Sequence, residues 1–336
     1  MQSTSTSIEN VGAALSQYWY NAVTEDMLCT RLQSGAEGRV VLAPEGGYLW
    51  SFRDEAGLVV DPPEREKRCG RFKIIWNWLR IRKAGALKTI KAFGELPAPS
   101  AESERCTLGC LQPDDPLSIH RRPRLLIMGK FMKLAALYNA FPYVPGGHCL
   151  LLPFEAIGED VVFPHVEQRL HRILLHEFIS ITSSAADWVV GVNCLHTGAS
   201  AWHAHGQLLR SKPFPVEEAF PVKVGQFSYP FGWPAGCLIV DNATADTVMD
   251  AVGRLEGRGI PVNLLVRGKK VFIFGRRREW ELSSEFPTGA IAFSELCGRL
   301  LVGHEEILAG LTEELICRAL RKATLTVEEL LAAVSA

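Results

Sequence analysis

The chain has 336 residues, of which 47% are hydrophobic, enough for a substantial core in one two-lobed domain or two smaller ones. Its 36 basic and 37 acidic residues give a net charge of −1, which excludes a global field that would attract nucleic acid or an anionic membrane. No apolar run approaches the roughly 20 residues that cross a bilayer, and residues 1–10 lack the basic and apolar regions of a signal peptide. We therefore expect a cytoplasmic protein with neither nucleic acid nor a membrane as a partner.

The N-terminal region contains a mixed aromatic and basic stretch and ends in a connector. Residues 71–91 combine tryptophan and phenylalanine with arginine and lysine, which favours a core strand with a solvated basic edge over a strand leading into a phosphate-facing turn. Residues 96–104 are rich in proline, serine and glutamate, as exposed connectors are. We therefore predict an N-terminal extension over residues 1–104, packed on a core that starts near Arg105.

A faint internal repeat follows, and its first copy lies in residues 105–220. Hydrophobic periodicity predicts a strand over residues 149–152, a strand over residues 188–193 and a further strand from His203. Between the first two it predicts a helix with one apolar face, formed by Leu170, Ile173, Leu174 and Phe178.

The second copy lies in residues 221–336 and repeats the order of elements. It has a predicted strand over residues 237–240, then a helix that carries Val248, Val252 and Leu255 and is closed by Gly257. Strands over residues 262–266 and 270–274 follow, joined by a turn at Gly268 and Lys269. From about Glu305 the chain is predicted to be helical, with a capping box from Thr326 to Glu329.

Two β-α-β-β halves predict an α+β fold in which two antiparallel sheets join and helices cover the faces. Asn193 and Asn263 occupy matching places in the two copies. The second copy has Val271, Phe272 and Phe274 where the first has histidines, so we expect residues 105–220 to be the catalytic half and residues 221–336 to be non-catalytic.

Chemistry is concentrated in residues 198–207, GASAWHAHGQ. If this segment is extended, a period of two places His203, His205 and Gln207 on one face, and three such polar groups are costly to bury without partners. A neutral imidazole can attack phosphorus through one nitrogen when its other N–H is held by an acceptor. His205 is flanked on both sides and is the candidate nucleophile, while Gln207 offers amide donors to phosphate.

The loop before the histidines supplies further donors. Gly198 lets backbone N–H groups approach an anion, and Ser200 adds a hydroxyl. An arbitrary His-x-His pair is more often a metal site or a hydrogen-bonded strand, but this loop together with the glutamine favours catalysis.

The run His-x-His-x-Gln behind Gly-Ala-Ser is similar to the signature of the transferase branch of the histidine-triad superfamily. That branch includes galactose-1-phosphate uridylyltransferase, diadenosine tetraphosphate phosphorylases and GDP-hexose phosphorylases. Residues 138–153 (YNAFPYVPGGHCLLLP) resemble its first nucleotide-pocket strand. Residues 190–193, 213–217 and 259–264 resemble the GDP-hexose phosphorylases, and the resemblance covers the chain from about Cys106 onward.

This resemblance implies roles for individual residues. His205 would form a nucleotidyl-histidine intermediate with His203 beside it, and Ser200 and Gln207 would hold the transferred phosphate. The nucleotide and phosphate pocket would also include Gly198, Asn193, Asn139, Phe141 and Asn263. Gly206 departs from the GDP-hexose enzymes, which prefer a larger apolar residue there, and Trp202 is unusual before the first histidine.

A metal site is a further expectation from the resemblance. Nine scattered cysteines suit reduced thiols better than a disulfide framework, and only Cys106 and Cys110 lie close together. In some uridylyltransferases a cysteine pair helps to hold zinc, with His148 and His203 here at the positions of the two histidine ligands. Cys106, Cys110, His148 and His203 would form a closed structural zinc site, although free cysteines with no metal are the common alternative.

The basic residues around the last predicted strand, Lys269, Lys270 and residues 276–278, are interpreted as a solvated face rather than an acceptor site.

The predicted activity is nucleotidyl transfer from a nucleoside diphosphate sugar, GDP-hexose-like, to inorganic phosphate or a sugar phosphate. Alternatives are a diadenosine polyphosphate phosphorylase, a hexose-1-phosphate uridylyltransferase, and a catalytically inactive nucleotide-binding regulator. No cofactor is needed for the chemistry, a structural zinc is possible, and a homodimer is a possible assembly.

Overall fold

The structure is a computed structural model of the chain. It describes residues 4–25, 27–31, 37–43, 46–53, 56, 59–60, 65–76, 124–139, 142, 144, 146–157, 160–162, 170–195, 197–199, 204–277, 291–302 and 305–335.

The described residues contain nineteen strands and seven α-helices. In chain order the strands are β1 (Thr4–Ser7), β2 (Cys29–Arg31), β3 (Glu37–Leu42), β4 (Tyr48–Arg53), β5 (Val59–Val60), β6 (Arg65–Cys69), β7 (Phe72–Trp76), β8 (Leu125–Met128), β9 (Lys133–Tyr138), β10 (His148–Ile157), β11 (Asp160–Val162), β12 (Trp188–Asn193), β13 (Gly206–Arg210), β14 (Pro221–Val224), β15 (Phe227–Pro230), β16 (Cys237–Val240), β17 (Val262–Arg267), β18 (Lys270–Gly275) and β19 (Arg299–Val302). The helices are α1 (Val11–Thr24), α2 (Arg172–Ser184), α3 (Ala245–Gly257), α4 (Phe293–Leu296), α5 (Glu305–Gly310), α6 (Glu313–Ala323) and α7 (Val327–Ser335).

One large sheet organises the molecule. Within the described residues it has twelve strands, in the order β1-β8-β9-β10-β13-β12-β17-β18-β16-β15-β14, with β11 on β10. The pairing is antiparallel except that β1 runs parallel to β8. The mixed α+β class with a mainly antiparallel sheet is therefore confirmed.

Helices cover one face of this sheet. Helices α1, α2, α3 and α7 bury their apolar sides against strand residues of that face such as Val190, Leu208 and Leu264. Because the opposite face is covered too, β12 is buried along its whole length, as its continuous apolar run requires.

The other face packs against a small sheet and helix α6. Strands β6, β7 and β19 form this sheet, in which β19 runs parallel to β7. Phe72 and Leu300 pack with Val189, Leu209 and other residues of the large sheet in a second hydrophobic cluster. A four-stranded sheet, β2 to β5, lies beside α1.

Most predicted elements occur where the periodicity placed them, and two details were wrong. Ile173 is 47% exposed, because it lies in the first turn of α2, outside the face formed by Leu174, Phe178 and Ile181. The predicted strand from His203 begins at Gly206, because pairing with β10 starts at Gly206 and pairing with β12 at Gln207. Among the described helices, none has the length and apolar character needed to cross a membrane.

Candidate active site

Strand β13 lies in the middle of the large sheet and carries the central residues of the predicted motif. His205 immediately precedes the strand and is 5% exposed, and Gln207 is its second residue. Gln207 is the register partner of Leu150 on β10 and of Gly191 on β12. His203 and Ser200 lie outside the described residues, and so does Phe141.

Gly206 and Gly191 allow aromatic rings to pack closely on the two faces of the sheet beside Gln207. A Cβ atom at Gly206 would lie 2.6 Å from Cζ of Phe178, on the helix side of the sheet. A Cβ atom at Gly191 would lie 2.3 Å from the ring of Phe293, on the other side. Phe178 therefore fills the space that a larger residue at position 206 would need, which gives a packing reason for the departure from the GDP-hexose enzymes.

The amide of Gln207 is buried, with one atom unsatisfied. The residue is 8% exposed, and its Oε1 accepts no hydrogen bond from the residues that the structure describes. A buried acceptor without a donor costs on the order of 1–3 kcal/mol, so such groups usually mark a strained or functional position.

Asn193 and Asn263 face each other across the junction of β12 and β17, where they are register partners. Asn263 Nδ2 donates to Asn193 Oδ1 at 2.7 Å and to the carbonyl of Thr197 at 2.9 Å. Asn193 Oδ1 also accepts the N–H of Phe293 at 2.9 Å. These buried contacts hold the loop after β12, and direct contact of either amide with a nucleotide stays a prediction.

The loop after β12 brings Gly198 towards the sheet. Gly198 has a φ of +90°, a left-handed conformation that favours glycine, and a Cβ there would lie 3.1 Å from Ala292. Thr197 Oγ1 donates to the carbonyls of Cys194 at 2.7 Å and Val262 at 3.2 Å. Thr197, which the sequence did not single out, therefore anchors this loop between β12 and β17.

His148 and Asn139 lie together towards the other end of the site. His148 is buried and is the register partner of Leu209 on β13. Leu209 lies four residues after His205, and four residues of extended strand span roughly 13 Å. The Nε2 of His148 lies 3.2 Å from Asn139 Nδ2, and because an amide nitrogen only donates, Nε2 is the acceptor. Zinc ligation through this Nε2 would require Asn139 to move.

The other three predicted zinc ligands, Cys106, Cys110 and His203, lie outside the described residues. Among the described residues no three histidine, cysteine, aspartate or glutamate side chains group as a metal site. The zinc site stays a prediction.

The Pro-Phe-Pro-Val-Glu segment after β13 is held to the large sheet through Glu217. Glu217 accepts the N–H of Phe214 at 2.7 Å and forms an ion pair with Arg267 Nε, at the end of β17, at 2.6 Å. Arg299, which no sequence pattern singled out, stacks over Phe214 with its guanidinium carbon 4.1 Å from the ring centroid. Burial lowers the pKa of Arg299 to about 10.

The interpretation of the basic cluster as a solvated face was wrong for Arg276. This side chain is 1% exposed and donates to Asn263 Oδ1 at 3.0 Å and to the carbonyl of Ala323 at 3.1 Å. Arg277, by contrast, is partly exposed and pairs with Glu329 at 2.6 Å. Both arginines follow the same strand, so the sequence offered no local signal that distinguishes them.

Comparison with known proteins gives a likeness of fold. No protein-family model matches the chain, and no curated protein sequence matches it significantly. The structure is similar to yeast Ap4A phosphorylase Apa2 in complex with AMP, with a TM-score of 0.52, 16% identity and coverage of 94% of this chain and 97% of that chain. For the same yeast protein in complex with Ap4A, the TM-score is 0.51, the identity 15% and the coverage 93% and 97%. At these identities the likeness is one of fold alone, and it does not distinguish between the branches named from the sequence.

Proposed function

We propose that the chain is a nucleotidyl-transferring phosphorylase with His205 as the covalent nucleophile. The observation that carries the proposal is the position of His205 and Gln207, both buried, at the start of β13. The fold likeness to an Ap4A phosphorylase supports the same class of reaction.

The reaction has two displacements. In the first, a nitrogen of His205 bonds to the α-phosphorus of the donor, the bond from phosphorus to the bridging oxygen breaks, and the distal phosphate-bearing group leaves with the electron pair. In the second, an oxygen of inorganic phosphate or of a sugar phosphate attacks the same phosphorus, and the phosphorus–nitrogen bond breaks. Gln207 contributes amide hydrogen bonds to the transferred phosphate without supplying a proton.

Two donors remain candidates, and different observations favour each. The motifs at residues 190–193, 213–217 and 259–264 favour a nucleoside diphosphate sugar, GDP-hexose-like. The likeness to the yeast protein, whose solved complexes contain AMP and Ap4A, favours a dinucleoside polyphosphate. The packing of Phe178 against Gly206 is one respect in which this site differs from the GDP-hexose pattern.

The proposal includes two related halves, with chemistry only in residues 105–220. The order β10-β13-β12-β17-β18-β16 supports it, because it places the last two strands of each half at the centre of the sheet and the first strand of each outside them. The junction between the halves is then the Asn193–Asn263 pair.

The decisive experiment measures the covalent intermediate. Enzyme incubated with GDP-hexoses, UDP-hexoses or diadenosine polyphosphates, without phosphate, should gain one nucleotidyl group, the mass of a nucleoside monophosphate less one water, through an acid-labile bond. The gain should be absent in His205→Ala, because the attacking nitrogen is removed. The nucleotide that becomes attached identifies the donor base.

Phosphate added to the labelled enzyme should release a nucleoside diphosphate and restore the original mass. A matched control is His171→Ala, which changes a histidine at the start of α2 and should label normally. Full turnover by His205→Ala on a donor that the wild type consumes would show that His205 is not the nucleophile. Tight nucleotide binding with no turnover on the whole panel would favour an inactive regulator.

A further inference from the structure

Arg276 is the most deeply buried cation of the site region and has contacts on several sides. It follows β18 directly, and its backbone N–H donates to the carbonyl of Pro261 at 2.8 Å. Its Nε donates to the carbonyl of Ala323, at the end of α6, while its Nη1 donates to Asn263 Oδ1 and to the carbonyl of Ile291. A guanidinium that is 1% exposed needs such acceptors, because an unpaired buried charge is very costly.

The contact with Asn263 sets the direction of a chain of hydrogen bonds. A guanidinium has no acceptor, so Asn263 must turn Oδ1 towards Arg276 and Nδ2 away from it. The Nδ2 group then donates to Asn193 Oδ1 and to the carbonyl of Thr197. If the Asn263 amide were reversed, its oxygen would face those two oxygens, and both hydrogen bonds would become repulsive contacts.

Asn193 connects Asn263 to a second segment, which contains Phe293. Its Oδ1 receives Asn263 Nδ2 on one side and the N–H of Phe293 on the other. The ring of Phe293 lies against Gly191, the register partner of Gln207. This chain of hydrogen bonds therefore joins the end of β18, the loop that carries Gly198, and the segment whose Phe293 packs on Gly191, beside Gln207.

We propose that Arg276 is a positioning residue for nucleotidyl transfer, acting through Asn263 and Asn193 to hold residues 197–199 and Phe293 in the geometry that the transferred phosphate requires. The inference rests on the proposed function for the identity of the reaction, but the ordering of the loop is a property of the free protein. It also gives the second half of the chain a positioning role, while the chemistry stays in the first half.

Two variants test separate parts of this chain of hydrogen bonds. Arg276→Gln removes the charge and most of the donors. Asn263→Asp keeps an oxygen acceptor for Arg276 and removes the N–H groups that reach Asn193 and Thr197. Arg277→Gln is the matched control, because it changes the neighbouring arginine, which pairs with Glu329 at the surface.

The first measurement is amide hydrogen exchange in free protein, followed in peptides that span residues 194–199 and 291–296. We expect exchange to be about tenfold faster in both peptides for Arg276→Gln and Asn263→Asp, and unchanged for Arg277→Gln. The second is the rate of nucleotidylation of His205 at saturating donor, which should fall between about tenfold and a hundredfold in the two variants, with the donor KM changing much less.

The outcomes distinguish this inference from the proposed function. If no donor labels the wild type, the proposed function fails, while the exchange data still decide whether Arg276 orders the loop. If Asn263→Asp is folded and shows wild-type exchange and labelling, the proposed chain of hydrogen bonds does not position the site. If Arg276→Gln does not fold, Asn263→Asp still provides the test, because it leaves the guanidinium paired. Lower thermal stability with wild-type labelling per folded molecule would mean that Arg276 is a structural tie only.

Discussion

At the scale of single residues, the site depends on how much space each side chain leaves and which hydrogen-bonding group it presents. Gly191 and Gly206 admit aromatic rings on opposite faces of the sheet, and a methyl group at either position would overlap a ring. Gln207 presents an amide to the same centre and cannot take up a proton at neutral pH. In the proposed mechanism, transfer therefore takes place beside a group that would hold phosphate but would not assist water.

Gln207→His should raise the hydrolysis of the nucleotidyl intermediate relative to transfer. An imidazole at position 207 can exchange protons with water or with the leaving group, whereas an amide cannot. Product analysis at several phosphate concentrations gives the ratio of nucleoside monophosphate to transferred product. A ratio equal to that of the wild type would contradict this account of the glutamine.

At the scale of elements, helix α2 is tied to the β8–β9 hairpin by one carboxylate. Glu177 is fully buried and accepts the backbone N–H groups of Lys130 at 3.2 Å, Phe131 at 2.6 Å and Met132 at 3.2 Å. A Cβ at Gly129 would overlap this carboxylate, so the turn and the helix fit each other closely. The same helix supplies Phe178, which packs under Gly206, and the tie therefore supports the site from behind.

Glu177→Ala should lower the free energy of unfolding by about 2–4 kcal/mol, because it removes a charged acceptor shared by three N–H groups. Chemical denaturation, monitored by tryptophan fluorescence, measures the change. Asp187→Asn is the control, since Asp187 is exposed and its 3.4 Å contact with Arg210 should contribute less than about 1 kcal/mol. Equal effects of the two substitutions would show that the hairpin tie adds no more than a surface ion pair.

At the scale of the whole molecule, strand pairing in two different sheets joins segments that are far apart along the chain. Strand β1, from the N-terminus, pairs with β8, and β19 pairs with β7 across more than 200 residues of sequence. Side-chain hydrogen bonds also join residues that are far apart in sequence. Glu217 and Arg267 are 50 residues apart, and Asn193 and Asn263 are 70 residues apart. A metal that bridges Cys106, Cys110, His148 and His203 would add another long-range link.

If that zinc site exists, purified protein should contain about one equivalent of zinc, and Cys106→Ser should lower both the zinc content and the thermal stability. Elemental analysis and a melting curve measure the two effects. Cys317→Ser, at a cysteine of α6, is the control and should leave the zinc content unchanged. Active protein without zinc would remove the metal site and leave the histidine mechanism intact.

The sequence by itself determined what depends on near neighbours along the chain. Strands Trp188–Asn193 and Cys237–Val240 have the predicted bounds, because alternation and apolar runs are local patterns. The capping box is present as two reciprocal hydrogen bonds between Thr326 and Glu329, which are three residues apart. The motif around His205 and Gln207 was likewise visible as a run of residue types.

Only the tertiary structure decided which polar groups meet across long stretches of chain. Arg276 and Arg277 are adjacent and chemically identical, yet one is buried against Asn263 and the other pairs with Glu329 at the surface. Tertiary packing also decided three further details: β13 starts at Gly206, Ile173 is exposed, and Phe178 and Phe293 pack against glycines. Periodicity reports which face of an element is apolar, but the partner of a buried polar group is set by packing, and packing brings together residues that no local pattern connects.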